Sequence, residues 1–261
     1  MVVEPVEHAG RLAAAALGAP LVEHGWGFTL PAGLTDHASQ GLLDLYSQVG
    51  TTPRSPSLTV DIGAASLQAR DTAPVARYRY EPWSRAGQPL PPKDTRPRAL
   101  VTLGTYDNPH AANRLRAVIT AAHQCGTQVI ALLGNPDRRS IAEFPAGTTV
   151  LDWTDMPKAV ATCDLVIHHG GAGTSWATLA AGRPAIATPQ MGDQFRNTEL
   201  LTRAGVADFL DPSELDPNAI SRVIDHVLTT PSFGQRSEQV ATENAELPDT
   251  AQLAIDIVSV V

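Results

Sequence analysis

The sequence predicts an α/β protein: a complete C-terminal Rossmann-like domain with a parallel sheet, preceded by a partial N-terminal α/β domain. Three observations lead there. From Arg96 onward, strand-sized apolar runs alternate with helix-length segments, the rhythm of a parallel sheet covered on both faces. Several of these runs end in glycine-bearing or polar turns before the next helix, and open α/β sheets bind ligands at that end of their strands. A Pro- and Gly-rich stretch, Pro82–Pro97, separates this region from the opening of the chain. Such a stretch sustains neither a helix nor a central strand and reads as a linker.

Taken in order, Met1–Glu4 is strand-like, Ala9–Leu17 is an Ala-rich helix closed by Gly18, and Pro20–His24 is a second apolar strand. Between Thr29 and Arg70 the pattern weakens to one helix at His37–Val49 and a Thr/Pro/Ser loop at Thr51–Ser57. Arg77–Glu81 alternates like a short strand. The expected strands after the linker are Ala99–Leu103, Gln128–Leu133, Thr149–Asp152, Leu165–His168 and Pro184–Ala187. The expected helices are His110–His123, Met156–Ala161, Thr174–Ala181 and Gln194–Ala204. Three more helices close the chain, Pro217–Leu228, Ser232–Asn244 and Asp249–Val258. The expected division is therefore residues 1–81 as the partial domain, 82–97 as linker and 98–261 as the C-terminal domain.

Composition narrows the function. A chain of 261 residues, 43% hydrophobic and 18% charged, carries a formal charge of −8 with its 19 Lys and Arg scattered. A nucleic-acid track needs clustered basic residues, so no nucleic-acid partner is expected. Cys125 and Cys163 each fall in an expected buried element and read as small apolar residues of a reducing compartment, without disulfide or metal role. No stretch approaches the roughly 18 to 20 apolar residues of a membrane span. The opening residues lack the pattern of a signal peptide, so the expected location is the cytoplasm.

The segment richest in chemistry runs from Asp164 through an apolar strand into His168, His169, Gly170, Gly171, Ala172, Gly173 and Thr174, and then a helix. Glycines there let the backbone approach a ligand closely. The amides and positive dipole at a helix start favour an anion such as a diphosphate. The Thr174 hydroxyl can cap the helix or donate to an oxygen, and His169 can reach a phosphate from the strand end. The bland alternative is a tight turn made by Gly170, Gly171 and Gly173, with His168 a satisfied core histidine. Three features weigh against it. The strand Ala99–Gly104 leads into Thr105, a second loop at the same sheet edge with a hydroxyl for phosphate. Trp153, with Thr154 beside it, follows another strand, where an indole either stacks on a nucleobase or packs in the core. Asp193 and Gln194 follow a third strand, where they either hold sugar hydroxyls or, for Asp193, cap a helix.

These segments together resemble the nucleotide-sugar-dependent glycosyltransferases of the GT-B fold, of the macrolide and aromatic-polyketide type found in antibiotic biosynthesis. The resemblance rests on Val101–Thr105, Asp152-Trp153 with Met156 and Pro157, His168–Thr174, Ala181–Pro184, and Pro189 followed by Asp193, Gln194 and Asn197. It implies that His169, the amides of Gly170, Gly171 and Gly173, Thr174 and Thr105 hold the donor diphosphate. Trp153 and Thr154 take the base, and Asp193 and Gln194 the donor sugar. It further implies inverting transfer without a metal or other cofactor, the nucleotide-sugar being a dTDP- or UDP-sugar substrate and the acceptor a polyketide-like small molecule. The opening segments resemble the middle of such enzymes, so about the first hundred residues are expected to be missing. No catalytic base can be assigned, and neither His8 nor His24 is taken for one. The exposed sheet edge this leaves is expected to bring a homo-oligomer or a complementing protein. The alternative function is a non-catalytic nucleotide-sugar-binding protein that associates with a full-length glycosyltransferase.

Overall fold

The computed structural model describes residues 1–30, 37, 40–68, 75–104, 111–134 and 144–260. The chain forms two compact units, Met1–Glu81 with Glu243–Val261, and Pro82–Thr242.

The first unit holds a parallel sheet of four strands in the order β1 (Val2–Val3), β2 (Val22–His24), β3 (Leu58–Ile62) and β4 (Ala76–Tyr78). Helix α1 (His8–Leu17) connects the first two, and the Glu7 carboxylate caps its start by accepting from the amides of Ala9 and Gly10. Arg11 of α1 pairs with Glu23 of β2 out of water. Strand β3 lies in a stretch expected to be loop. Its fourth residue, Asp61, is buried and breaks the apolar alternation that marks a strand. Asp61 is tolerated because Arg77 of β4 donates to its Oδ2 at 2.8 Å, the Thr29 hydroxyl donates to the same oxygen, and the Ile62 amide donates to Oδ1. Of the helix expected at His37–Val49, α2 (Leu43–Gln48) is found, and residues 38 and 39 lie outside the described ones.

The end of the chain belongs to this first unit, which corrects the expected boundary of 98–261. Helix α9 (Thr250–Ser259) buries Leu253 against Val22, Val60 and Tyr78. The Tyr78 hydroxyl donates to Asp256 at 2.6 Å, and the Arg79 amide donates to the Pro248 carbonyl at 2.7 Å. An amphipathic helix announces that it needs an apolar surface; its own residues do not say which sheet supplies one.

The second unit is a parallel sheet of six strands in the order β10-β9-β8-β5-β6-β7. These are β5 (Arg98–Thr102), β6 (Gln128–Leu132), β7 (Thr149–Leu151), β8 (Leu165–His168), β9 (Ala185–Ala187) and β10 (Ala207–Phe209). The last was not expected, being only three residues with Asp208 at its centre. Helices α3 (Ala111–Gln124) and α7 (Pro217–Thr229) pack on one face, over Val101, Val129, Leu165, Ile167 and Ile186. Helix α4 (Met156–Ala161) covers Leu100, Ile130 and Val166 on the other. Helices α5 (Ala172–Ala180) and α6 (Gln194–Arg203) join β8 to β9 and β9 to β10, and α8 (Pro231–Glu246) carries the chain back to the first unit.

The expected linker is a strap fastened to this second unit. Leu90 packs into the face covered by α4. The guanidinium of Arg98, 1% exposed, donates to Gln128, to Thr162 and to the Pro91 carbonyl. Lys93 pairs with Asp164 at 2.8 Å. Three acceptors around one buried guanidinium offset much of its desolvation, and they tie strap to sheet.

Candidate functional site

Strand order locates the site. From β5 the chain moves outward through β6 and β7 on one side, and later from β8 through β9 and β10 on the other, so the direction reverses between β5 and β8. In open α/β sheets the crevice beyond such a reversal takes the ligand. Gly104, after β5, and His169, after β8, meet there.

The turn after β8 is held from beneath by His168. Its ring is fully buried, and Nδ1 accepts from the Gly170 amide at 3.0 Å, which leaves the proton on Nε2. Burial, aided by His169, pushes its pKa down to about 3, so the ring is neutral at physiological pH. Among the described residues Nε2 has no hydrogen-bond partner, and a buried donor left so costs about 1–3 kcal/mol. His168 is thus a core histidine, satisfied on one nitrogen only, that fixes the glycine turn.

His169 lies against bare backbone. A side chain at Gly104 would bring its Cβ to 2.8 Å from the His169 Cε1 and 2.9 Å from Nε2, and one at Gly171 would collide with the same ring. The imidazole therefore occupies a slot that only glycine leaves open on both sides. Gly170 has φ +79°, and a Cβ there would stand 2.7 Å from the Thr198 hydroxyl and 3.0 Å from the Gln194 carbonyl of α6. The turn and the start of α6 are pressed together.

Helix α5 begins at Ala172 with Gly171 as its N-cap, two residues earlier than expected. Thr174 is consequently not the cap. It sits in the first turn with Ala172 and Gly173, ahead of the Ser175 amide, which donates to the Gly171 carbonyl at 3.0 Å and opens the helix ladder. The first-turn amides converge on one point beyond the helix end, where the dipole is positive. The helix start closed by Gly171 can thus hold an anion without a side-chain cap.

Asp193 does not cap α6 with its side chain. Its Oδ2 accepts from the Asn197 side-chain amide at 2.9 Å, and the same amide donates to the Gly170 carbonyl at 3.0 Å. Asn197 therefore fixes the exposed Asp193 carboxylate relative to the glycine turn. The sequence reading gave Asn197 no role at the site, although its position one helical turn after Asp193 was visible. The Gln194 Oε1 accepts from the amides of Gln190 and Met191 at 2.8 and 3.2 Å.

Trp153 follows β7, two strands from β5, roughly 10 Å away at ordinary strand spacing. Its indole is 37% exposed, with the Arg85 guanidinium 4.7 Å from the ring centroid. The other residue expected at the base is Thr154. It is 3% exposed, and its hydroxyl donates to the Gln88 carbonyl at 2.9 Å, so its side chain anchors the strap. Thr105 lies outside the described residues. The structure thus gathers His169, Gly170, Gly171, Gly173, Thr174, Asp193 and Gln194 at one sheet edge, with Trp153 farther along the same edge.

Comparison with known proteins agrees with this geometry. The family described as "Erythromycin biosynthesis protein CIII-like, C-terminal domain" matches residues 116–260, more than half of the chain. Elloramycin glycosyltransferase ElmGT of Streptomyces olivaceus is 32% identical over 258 residues, which cover 94% of this chain and 64% of that enzyme. L-demethylnoviosyl transferase of Streptomyces niveus is 29% identical, over 97% of this chain and 69% of the other. The solved structure of spinosyn rhamnosyltransferase SpnG complexed with thymidine diphosphate superimposes with a TM-score of 0.87 at 27% identity, covering 98% of this chain and 72% of that one. The chain therefore belongs to the erythromycin biosynthesis protein CIII-like family, through its C-terminal domain, and is built on the GT-B fold.

Proposed function

We propose that this chain binds a dTDP- or UDP-sugar at the crevice beyond β5 and β8 and serves the transfer of that sugar, with inversion, to a natural-product acceptor. The observation that carries the reading is the packing of His169 between Gly104 and Gly171 beside the first turn of α5. That packing supports an anion site, because it brings the His169 ring beside the amides of a helix start, which favour negative charge.

Chemistry follows from where charge develops. As an acceptor hydroxyl or carbon attacks the anomeric carbon in line, the bond to the diphosphate breaks and negative charge collects on the leaving oxygens. Amides of Gly171, Ala172, Gly173 and Thr174, the helix dipole, His169 and the Thr105 hydroxyl stabilise that charge more than they stabilise the intact donor, which is what lowers the barrier. No metal is required in this scheme, because preorganised donors do the work a cation would do. Trp153 stacks on the base, while Asp193 and Gln194 orient the sugar hydroxyls. In SpnG, the complexes solved hold thymidine diphosphate and spinosyn aglycone; ligands of those two classes are the ones proposed here.

Strand β1 lies at the edge of its sheet with Val2 exposed, and Val6 in the turn that follows is exposed as well. That supports association with a second copy or with a complementing polypeptide. The same reading expects a cytoplasmic protein; among the described residues no helix is long and apolar enough to cross a membrane. The test is a titration with thymidine diphosphate and uridine diphosphate by calorimetry, followed by incubation with a dTDP-sugar and an aromatic aglycone. Nucleotide release dependent on acceptor is the expected result. Binding without any release, in the presence of a range of acceptors, would assign the chain to the binding-protein alternative.

A further inference from the structure

The strap that precedes β5 does more than fasten the second unit. Its upper end is locked around the turn that carries Trp153. Gln88 donates its amide to the Trp153 carbonyl at 2.8 Å, its side-chain oxygen accepts from the amides of Asp152 and Trp153, and its carbonyl accepts from the Thr154 hydroxyl. Gly87 lies so close that an added Cβ would stand 2.6 Å from the Thr154 Cα and 2.7 Å from the Trp153 Cδ1. Two residues earlier, the exposed Arg85 spreads its guanidinium over the indole, 4.7 Å from the centroid.

We propose that Arg85 is the second wall of the nucleobase slot, a planar lid that lifts from Trp153 to admit the base and then closes on its far face. This rests on the reading that Trp153 takes the base. Three features of the strap argue for a lid. The tether at Gln88 keeps Arg85 within reach of the indole whatever its rotamer. Exposure leaves the long side chain free to rise by the thickness of one aromatic ring. The guanidinium is flat and cationic, so it can stack on a base as it lies over the indole. A base inserted between indole and guanidinium keeps both stacking partners and gains one face. Such a sandwich is tolerant of base identity, because every base has a π-face. Arg85 accordingly sets affinity for the nucleoside part and leaves the choice between thymine and uracil to groups at the ring edge.

The test is calorimetric titration of the wild type, Arg85→Ala, Arg85→Lys and Trp153→Ala with thymidine diphosphate and, separately, with pyrophosphate, which has no base. Arg85→Ala is expected to weaken thymidine diphosphate about fivefold, the equivalent of about 1 kcal/mol, and to leave pyrophosphate unchanged. Arg85→Lys, which keeps the charge and loses the plane, is expected to recover only part of that loss. Equal weakening of both ligands by Arg85→Ala would reduce Arg85 to a remote charge and overturn the proposal. Tighter binding of thymidine diphosphate would overturn it too, by making Arg85 an obstruction. If Trp153→Ala leaves thymidine diphosphate affinity intact, the slot itself is absent and the lid falls with it. If Trp153→Ala weakens binding and Arg85→Ala does not, only the lid fails.

Discussion

Replacing Gly170 with alanine puts the site's geometry to the most searching use. The residue has φ +79°, a region that costs an L-residue roughly 1–2 kcal/mol. The new Cβ would also stand 2.7 Å from the Thr198 hydroxyl and 3.0 Å from the Gln194 carbonyl. One of these is backbone and cannot rotate away, so overpacking adds about 1–3 kcal/mol. The sum, about 2–5 kcal/mol, is a large part of an ordinary domain's stability. Relief by shifting α6 would drag Asn197 off the Gly170 carbonyl and Asp193 with it, so nucleotide-sugar binding should suffer even in molecules that stay folded. Urea denaturation followed by circular dichroism gives the first quantity and calorimetry the second. Thr198→Ala in the same background removes the hydroxyl and should restore part of the stability, while the backbone strain persists. A Gly170→Ala protein as stable as wild type would show that the turn is not pressed against α6, and the account of the site would lose its frame.

Other substitutions separate the parts of the site. His169→Ala should weaken thymidine or uridine diphosphate by about 1.5–3 kcal/mol through loss of a charge-assisted contact; unchanged affinity by calorimetry would remove His169 from the diphosphate cradle. Asp193→Ala should impair a nucleotide-sugar far more than the free nucleoside diphosphate, and equal losses would contradict the sugar contact. His168 makes a prediction about pH. Its folded pKa is depressed to about 3 while an unfolded histidine titrates near 6.5. The unfolded chain therefore takes up the proton first, and stability present above pH 6.5 is lost as pH falls toward 3. The loss should be about 2 kcal/mol by pH 5. His168→Asn, whose Oδ1 can still accept from Gly170, should flatten that slope in urea titrations between pH 7 and 5; identical slopes in the two proteins would contradict it.

Much of the second unit could be read from residues because most of its strands are dominated by apolar residues. Leu165–His168 and Met156–Ala161 stand where the spacing placed them. Strand β3 escaped notice because its Asp61 is made apolar in effect by partners far along the chain, Thr29 and Arg77, which no local pattern reveals. Strand β10 was too short to show a period. The glycines announced the turn after β8. Its exact helical start depends on which of Gly171, Gly173 and Thr174 adopts the capping conformation, a choice made by contacts with Ser175 and α6. Roles for Asn197, Thr154 and Arg85 were hidden for one reason: each acts through a partner brought close only by the fold, Gly170, Gln88 and Trp153 respectively.

The central claim is that backbone amides at the start of α5 grip the diphosphate, and an amide-resolved NMR titration with thymidine diphosphate reads it directly. The largest shifts should fall on Gly171, Ala172, Gly173 and Thr174, with Gly104 and His169 close behind. Saturating shifts that instead cluster elsewhere in the second unit, leaving those amides unmoved, would contradict the account.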